Sequence, residues 1–170
     1  MKQIHEGKFK LYGREYEQLD DFSVFISCKE NTETILPINF GKAGRAQDSK
    51  VTEGDISQLR SVNGSLQWIA RQCRIELCYR CSKLQSVAPT AQVKHLEACN
   101  QLLAEAKATA GQGILYRSGM FDFQQAILVT ISDASWGNDE KIIDDKVFPR
   151  RSQYGRINAL GSPDLWDGDE

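Results

Sequence analysis

The residues best suited to chemistry are one carboxylate, a row of arginines and a group of cysteines. Asp133 follows Ala126–Ile131, an unbroken apolar and β-branched run that predicts a central strand covered on both faces. A carboxylate at the end of such a strand has a fixed backbone and a side chain emerging at the sheet edge, the placement a divalent metal needs. The plainer alternative is that Asp133 ends the strand by hydrogen-bonding into a turn. Asp139, Asp144 and Asp145 read as a solvated charged turn between strands, and Asp164, Asp167, Asp169 and Glu170 as an acidic tail that cannot hold metal rigidly.

Arg60, Gln67 and Arg71 fall within a narrow arc of a predicted helix, with Arg74 just beyond its end. Guanidinium groups spaced along one face can follow the phosphates of a nucleic-acid duplex; the alternative is an ordinary solvated helix face. Trp68, amid the same helix beside Gly64, reads as a packing residue rather than a base-stacking platform. Cys73, Cys78, Cys81, His95 and Cys99 include Cys-x-x-Cys and His-x-x-x-Cys spacings that suit zinc. Cys78 and Cys81 fall mid-helix without a knuckle glycine, which favours small apolar core residues instead.

The elements that must position these groups change period along the chain. Lys8–Tyr12, Phe22–Cys28 and Thr34–Phe40 are β-prone runs separated by turn residues, predicting a small antiparallel meander. Gly41–Lys50 is polar and aperiodic and reads as a linker at a boundary. Ile56, Leu59, Val62, Leu66, Ile69 and Ala70 then recur at helical spacing behind the capping types Thr52 and Asp55, predicting a helix over Asp55–Arg71. Gly64 inside it costs about 1 kcal/mol relative to Ala, which predicts close approach of another backbone. A second helix is predicted over Ile75–Val87, and a third from a Thr90 cap to Gly111. Strand character returns at Ile114–Tyr116, Ala126–Ile131 and Arg151–Leu160.

The expected class is therefore α+β: a short antiparallel β-meander over 1–50, a three-helix unit over 51–110, and strands over 111–170. With 21 Lys and Arg against 23 Asp and Glu, the formal charge of -2 offers no global basic field, so any nucleic-acid surface must be local. Residues 51–110 hold seven basic and five acidic residues, whereas 134–170 hold five and eight. There is no apolar run of bilayer-spanning length and no apolar stretch of a secretory signal at the start, so an intracellular location, cytoplasmic or nuclear, is expected, with no membrane partner. Five cysteines, an odd number, point to reduced thiols.

Three segments carry a family resemblance. Leu59–Gln85, LRSVNGSLQWIARQCRIELCYRCSKLQ, is similar to the segment that follows the polymerase palm in copia-type retrotransposon Pol polyproteins: a serine-glycine helix, an aromatic, an arginine, an RPD-like turn and another helix. Lys10–Glu15, KLYGRE, resembles the family's hairpin near the primer end. Ser132–Trp136, SDASW, and Arg151–Gly155, RSQYG, resemble the motif pair that opens its ribonuclease H domain. In the family's order, these segments imply the end of a reverse transcriptase palm over 1–50, helical thumb or connection over 51–110, and the first strands of a ribonuclease H-like sheet over 111–170.

The resemblance implies that Asp133 is the first ribonuclease H carboxylate, a magnesium ligand in the parent family. It also implies that the polymerase aspartates lie before Met1 and the remaining ribonuclease H carboxylates beyond Glu170. Two-metal hydrolysis needs several converging carboxylates, so no tight metal binding is expected and the enzyme sites are incomplete. Arg60, Arg71 and Arg74 become the expected contacts to an RNA–DNA hybrid or template–primer duplex, with the rest of the polyprotein as the other partner. The chain departs from the family at Arg74-Ile75-Glu76, where Arg-Pro-Asp is expected; the missing proline and the longer acid predict a weaker start to the second helix. The other function class is a non-catalytic interaction module, a relic of a mobile element.

Overall fold

A computed structural model of the chain describes residues 7–41, 45–120, 122–143 and 146–161. Strands β1 (Lys8–Leu11) and β2 (Arg14–Gln18) pair antiparallel with Leu11 opposite Arg14, leaving Tyr12 and Gly13 as a two-residue turn. Their φ angles of 49° and 76° form the left-handed pair that matches the twist of a hairpin. Space at Gly13 is tight as well, since a Cβ there would stand 3.0 Å from Trp68 Cη2 and 3.1 Å from Asn31 Nδ2, so one of these side chains would have to give. Strand β3 (Val24–Ser27) adds to β2.

Helix α1 (Lys29–Thr34) precedes the predicted third meander strand, Thr34–Phe40, which after Thr34 is an irregular segment instead. The cause of the helix lies across the sheet. The Glu15 carboxylate accepts from Ser27 Oγ at 2.6 Å and from the Lys29 and Glu30 amides at 2.9 and 3.0 Å, satisfying the first turn of α1. After α1, Ile38 is buried, and its amide and carbonyl are bonded by the Asn100 side chain at 2.8 and 2.9 Å. Those backbone groups are satisfied without a neighbouring strand.

Helix α2 (Glu53–Gln72) starts at a capping box in which Thr52 and Asp55 each bond the other's backbone amide. Arg45 ion-pairs with Asp55 at 3.1 Å. A 3-10 turn, Ile75–Leu77, leads into α3 (Cys78–Val87), and a second, Ala88–Thr90, contains Pro89. Helix α4 (Val93–Ala108) is capped by Gln92 rather than by the expected Thr90. The Gln92 amide donates to His95 Nδ1 at 2.9 Å, completing a box that no serine or threonine advertises.

Leu59 and Leu66 of α2 and Leu96, Leu102 and Leu103 of α4 are fully buried, each worth about 1.5–3 kcal/mol of apolar burial. The stretch expected as a linker is fastened to this bundle: Lys94 ion-pairs with Asp48 at 2.7 Å and Lys50 bridges to Gln92. Strand β4 (Gly113–Tyr116), expected with the C-terminal strands, pairs antiparallel with β3 and completes the sheet order β1-β2-β3-β4. The predicted 1–50 and 51–110 segments therefore lie in one compact unit, Met1–Ser118.

Within the second unit, Gly119–Glu170, the described residues form a two-stranded antiparallel ribbon of β5 (Ile127–Ile143) and β6 (Lys146–Gly161). Val129 is buried, but Leu128 and Ile131 are 70% and 61% exposed. The expectation of a central strand covered on both faces is thus corrected: β5 has one partner strand among the described residues. A run of apolar side chains specifies a wish for burial, not how many neighbours are present to supply it. The chain as a whole is α+β.

Candidate nucleic-acid interface

Helix α2 buries Leu59, Val62, Leu66 and Ala70 in the helical core and presents a different face to solvent. On that open face Arg60, Gly64 and Trp68 recur every four residues, about 6 Å apart along the axis. They share a groove of about 600 Å³ with Asn31 and Thr34 of α1 and with Ser65. Among the described residues, no atom outside its own stretch of helix comes within 4 Å of where a Gly64 Cβ would stand. The expected close approach of another backbone is therefore not made among the described residues, and the glycine opens onto the groove.

Trp68 is partly buried, as expected of a packing residue. It lies against the cluster of Cys28, Ile69 and Cys73, and its ring edge rests on the site of Gly13. This contact sets the β1–β2 turn beside the groove. Tyr12, at the tip of that turn, is 81% exposed despite a left-handed backbone that a bulky residue rarely adopts. The α1 wall has no signal in the sequence, and Tyr12 enters the sequence analysis only within the hairpin segment KLYGRE.

Arg60 and Arg71 are exposed, and among the described residues neither forms an ion pair. Eleven residues separate them, three turns of helix, which places them on one side of α2 about 16 Å apart. Arg74 does not join them. It is buried, with Nε donating to Glu76, one terminal nitrogen to the Thr109 carbonyl at 2.9 Å and the other to Thr109 Oγ1 at 2.7 Å. The expected duplex contact at Arg74 is corrected to a structural tie between the C-terminal ends of α2 and α4. All three of its nitrogens are engaged inside the fold, so the guanidinium has no face to turn toward a phosphate. Glu76 engages the arginine, while the turn it enters has no side-chain cap.

Asp133 stands within β5, not at its end, and is exposed opposite Gly155. The ladder sets Ser132 across from Arg156 and Ser135 across from Gln153, bringing the SDASW and RSQYG segments side by side. Arg156 turns to its own strand, bonding Asn158 Oδ1 at 2.8 Å, which also accepts from Thr130 Oγ1 at 3.0 Å. Among the described residues no three His, Cys, Asp or Glu side chains are grouped to hold a metal ion. One exposed carboxylate facing a glycine does not fit a two-magnesium centre, which needs several carboxylates converging on both ions. Asp139 pairs with Arg151 in the strand register rather than lying in a turn. Asp144, Asp145, Asp164, Asp167, Asp169 and Glu170 fall outside the described residues.

The zinc spacing is dispersed by the same packing. Cys81 and Cys99 are buried in the helical core, where burial pushes their thiols up to about 11 and about 12. His95 is used at the α4 cap, and Cys73 turns toward Cys28. Among the described residues no helix is long and apolar enough to cross a membrane. Comparison of this chain with models of known protein families, with curated proteins and with solved structures found no match.

Proposed function

We propose that this chain belongs to a copia-type retrotransposon Pol polyprotein, spanning the end of a reverse transcriptase and the start of its ribonuclease H domain. Its contribution is grip on an RNA–DNA duplex, without cleavage by these residues alone. The observation that carries the reading is the open face of α2 at Gly64. A glycine in mid-helix costs stability, and here no contact among the described residues requires it. It leaves room for an outside ligand to approach the helix, between Arg60 one turn before and Trp68 one turn after. Arg60 and Arg71, about 16 Å apart, cover roughly five phosphates of one strand at its axial spacing of about 3.4 Å. The β1–β2 tip, with exposed Tyr12, borders the same groove.

The ribbon supports the second half of the reading. Two motif segments some twenty residues apart in sequence face each other across an antiparallel ladder, as the first strands of a ribonuclease H-like sheet would place them. Exposed Leu128, Ile131 and Ile157 leave surface for further polypeptide, which the rest of the polyprotein would supply.

Fluorescence anisotropy with a labelled RNA–DNA hybrid tests the grip. Gly64→Ala is expected to stabilise the fold by about 1 kcal/mol while weakening hybrid binding, opposite directions that misfolding cannot produce. Arg60→Glu with Arg71→Glu is expected to weaken binding regardless of sequence and to reduce the salt slope by about 2. Unchanged hybrid affinity in both variants would remove the proposal in favour of a non-catalytic interaction module.

A further inference from the structure

Cys28 and Cys73 occupy matching positions at the ends of different elements. Cys28 is the residue before α1, directly after β3, and Cys73 is the residue that ends α2. Both are buried, and they pack in one cluster with Ile69 that brings their thiols together. We propose that this pair is a modification site: peroxide converts the two thiols to a reversible disulfide that staples β3 and α1 to the C-terminal end of α2.

The surroundings divide the labour. The interaction with Cys28 lowers the Cys73 thiol against the opposing effect of burial, with Arg74 favouring the anion and Glu76 disfavouring it, while the same interaction and burial raise Cys28. Cys73 is the attacking sulfur and Cys28 the resolving one. Cys73 sulfur takes one oxygen of hydrogen peroxide, the O–O bond breaks, and one water leaves after protonation. Cys28 sulfur then displaces the sulfenic hydroxyl as a second water. Two S–H bonds and one O–O bond are lost, one S–S bond and two O–H bonds are gained, and the two electrons reside in water. A small dithiol reverses the step. Cys81 and Cys99, raised by their apolar surroundings, stay outside this chemistry.

The staple would close a loop of some 45 residues that contains the α1 wall of the groove and all of α2, so oxidation also fixes the groove's width. The site itself stands independently of any nucleic-acid reading. The test is treatment of the folded full chain with hydrogen peroxide, alkylation of remaining thiols, and peptide mass mapping without reduction. The expected product is a Cys28–Cys73 linked peptide, two hydrogens lighter than the sum of its parts and abolished by dithiothreitol. Oxidised protein should melt on the order of 5–10 °C higher than reduced protein. Linkage that involves Cys78, Cys81 or Cys99 instead, equal yield from urea-unfolded chain, or five alkylated thiols after treatment would each overturn the proposal.

Discussion

Helix α2 and strand β5 each carry a segment on which the proposed reading rests, and the fold holds them with very different firmness. On α2 the motif's apolar residues meet partners: Leu59 and Leu66 are fully buried, Asn63 reaches across to the Cys81 carbonyl at 3.0 Å, and both helix ends are tied, by the Thr52–Asp55 box and by Arg74. On β5 the apolar residues are equally plain in the sequence, yet Leu128 and Ile131 are exposed, with a single strand paired to theirs among the described residues. Hydrophobicity becomes stability only where other elements close over it. A site that must hold geometry to within a fraction of an ångström is therefore better served by α2 than by the ribbon.

Substitutions sharpen this contrast. Leu66→Ala is expected to cost about 2–5 kcal/mol, measured by denaturant unfolding, because it opens a cavity in a closed core. A loss below about 1 kcal/mol would mean that the bundle is no better packed than the ribbon. Asp55→Asn is expected to cost about 1–2 kcal/mol through the weakened cap and the lost Arg45 partner. Its pH dependence has a defined sign. The Thr52 backbone amide, outweighing burial and helped by the Thr52 hydroxyl and Arg45, holds the Asp55 carboxyl below its ordinary value. The advantage of the native protein over Asp55→Asn should thus be constant above about pH 5, shrink as pH falls below the ordinary value near about 3.9, and vanish as pH passes below the folded value. A constant difference down to about pH 2 would show that the carboxylate's charge is not what the cap uses. Ile131→Ser, on the open ribbon, is expected to change stability by no more than about 0.5 kcal/mol. A larger loss would show that Ile131 is covered.

Much of the first unit was legible from residue order. The α2 pattern, its Thr52 cap and the short Ile114–Tyr116 strand follow from local rules that act within a turn or two. Helix α1 did not, because its first turn is capped by Glu15 from another strand. The α4 cap did not, because a histidine at its third residue takes the role usually given to glutamate. Within the candidate interface, the exposed side of α2 was readable from periodicity, but Arg74 was not separable from Arg60 and Arg71. Its burial depends on Thr109, thirty-five residues away.

What the sequence by itself determined is the class of each main segment, the core side of α2, and the order of three motif segments along the chain. Those are local or serial properties, set by side-chain spacing and backbone preference. Only the tertiary structure decided that β4 joins the first sheet, that Gly64 faces open space, that Arg74 is an internal tie, and that Cys28 meets Cys73. Each of these depends on which distant residue arrives at the same place, a matter settled by packing and hydrogen-bond satisfaction over the whole unit and not by any window of the chain.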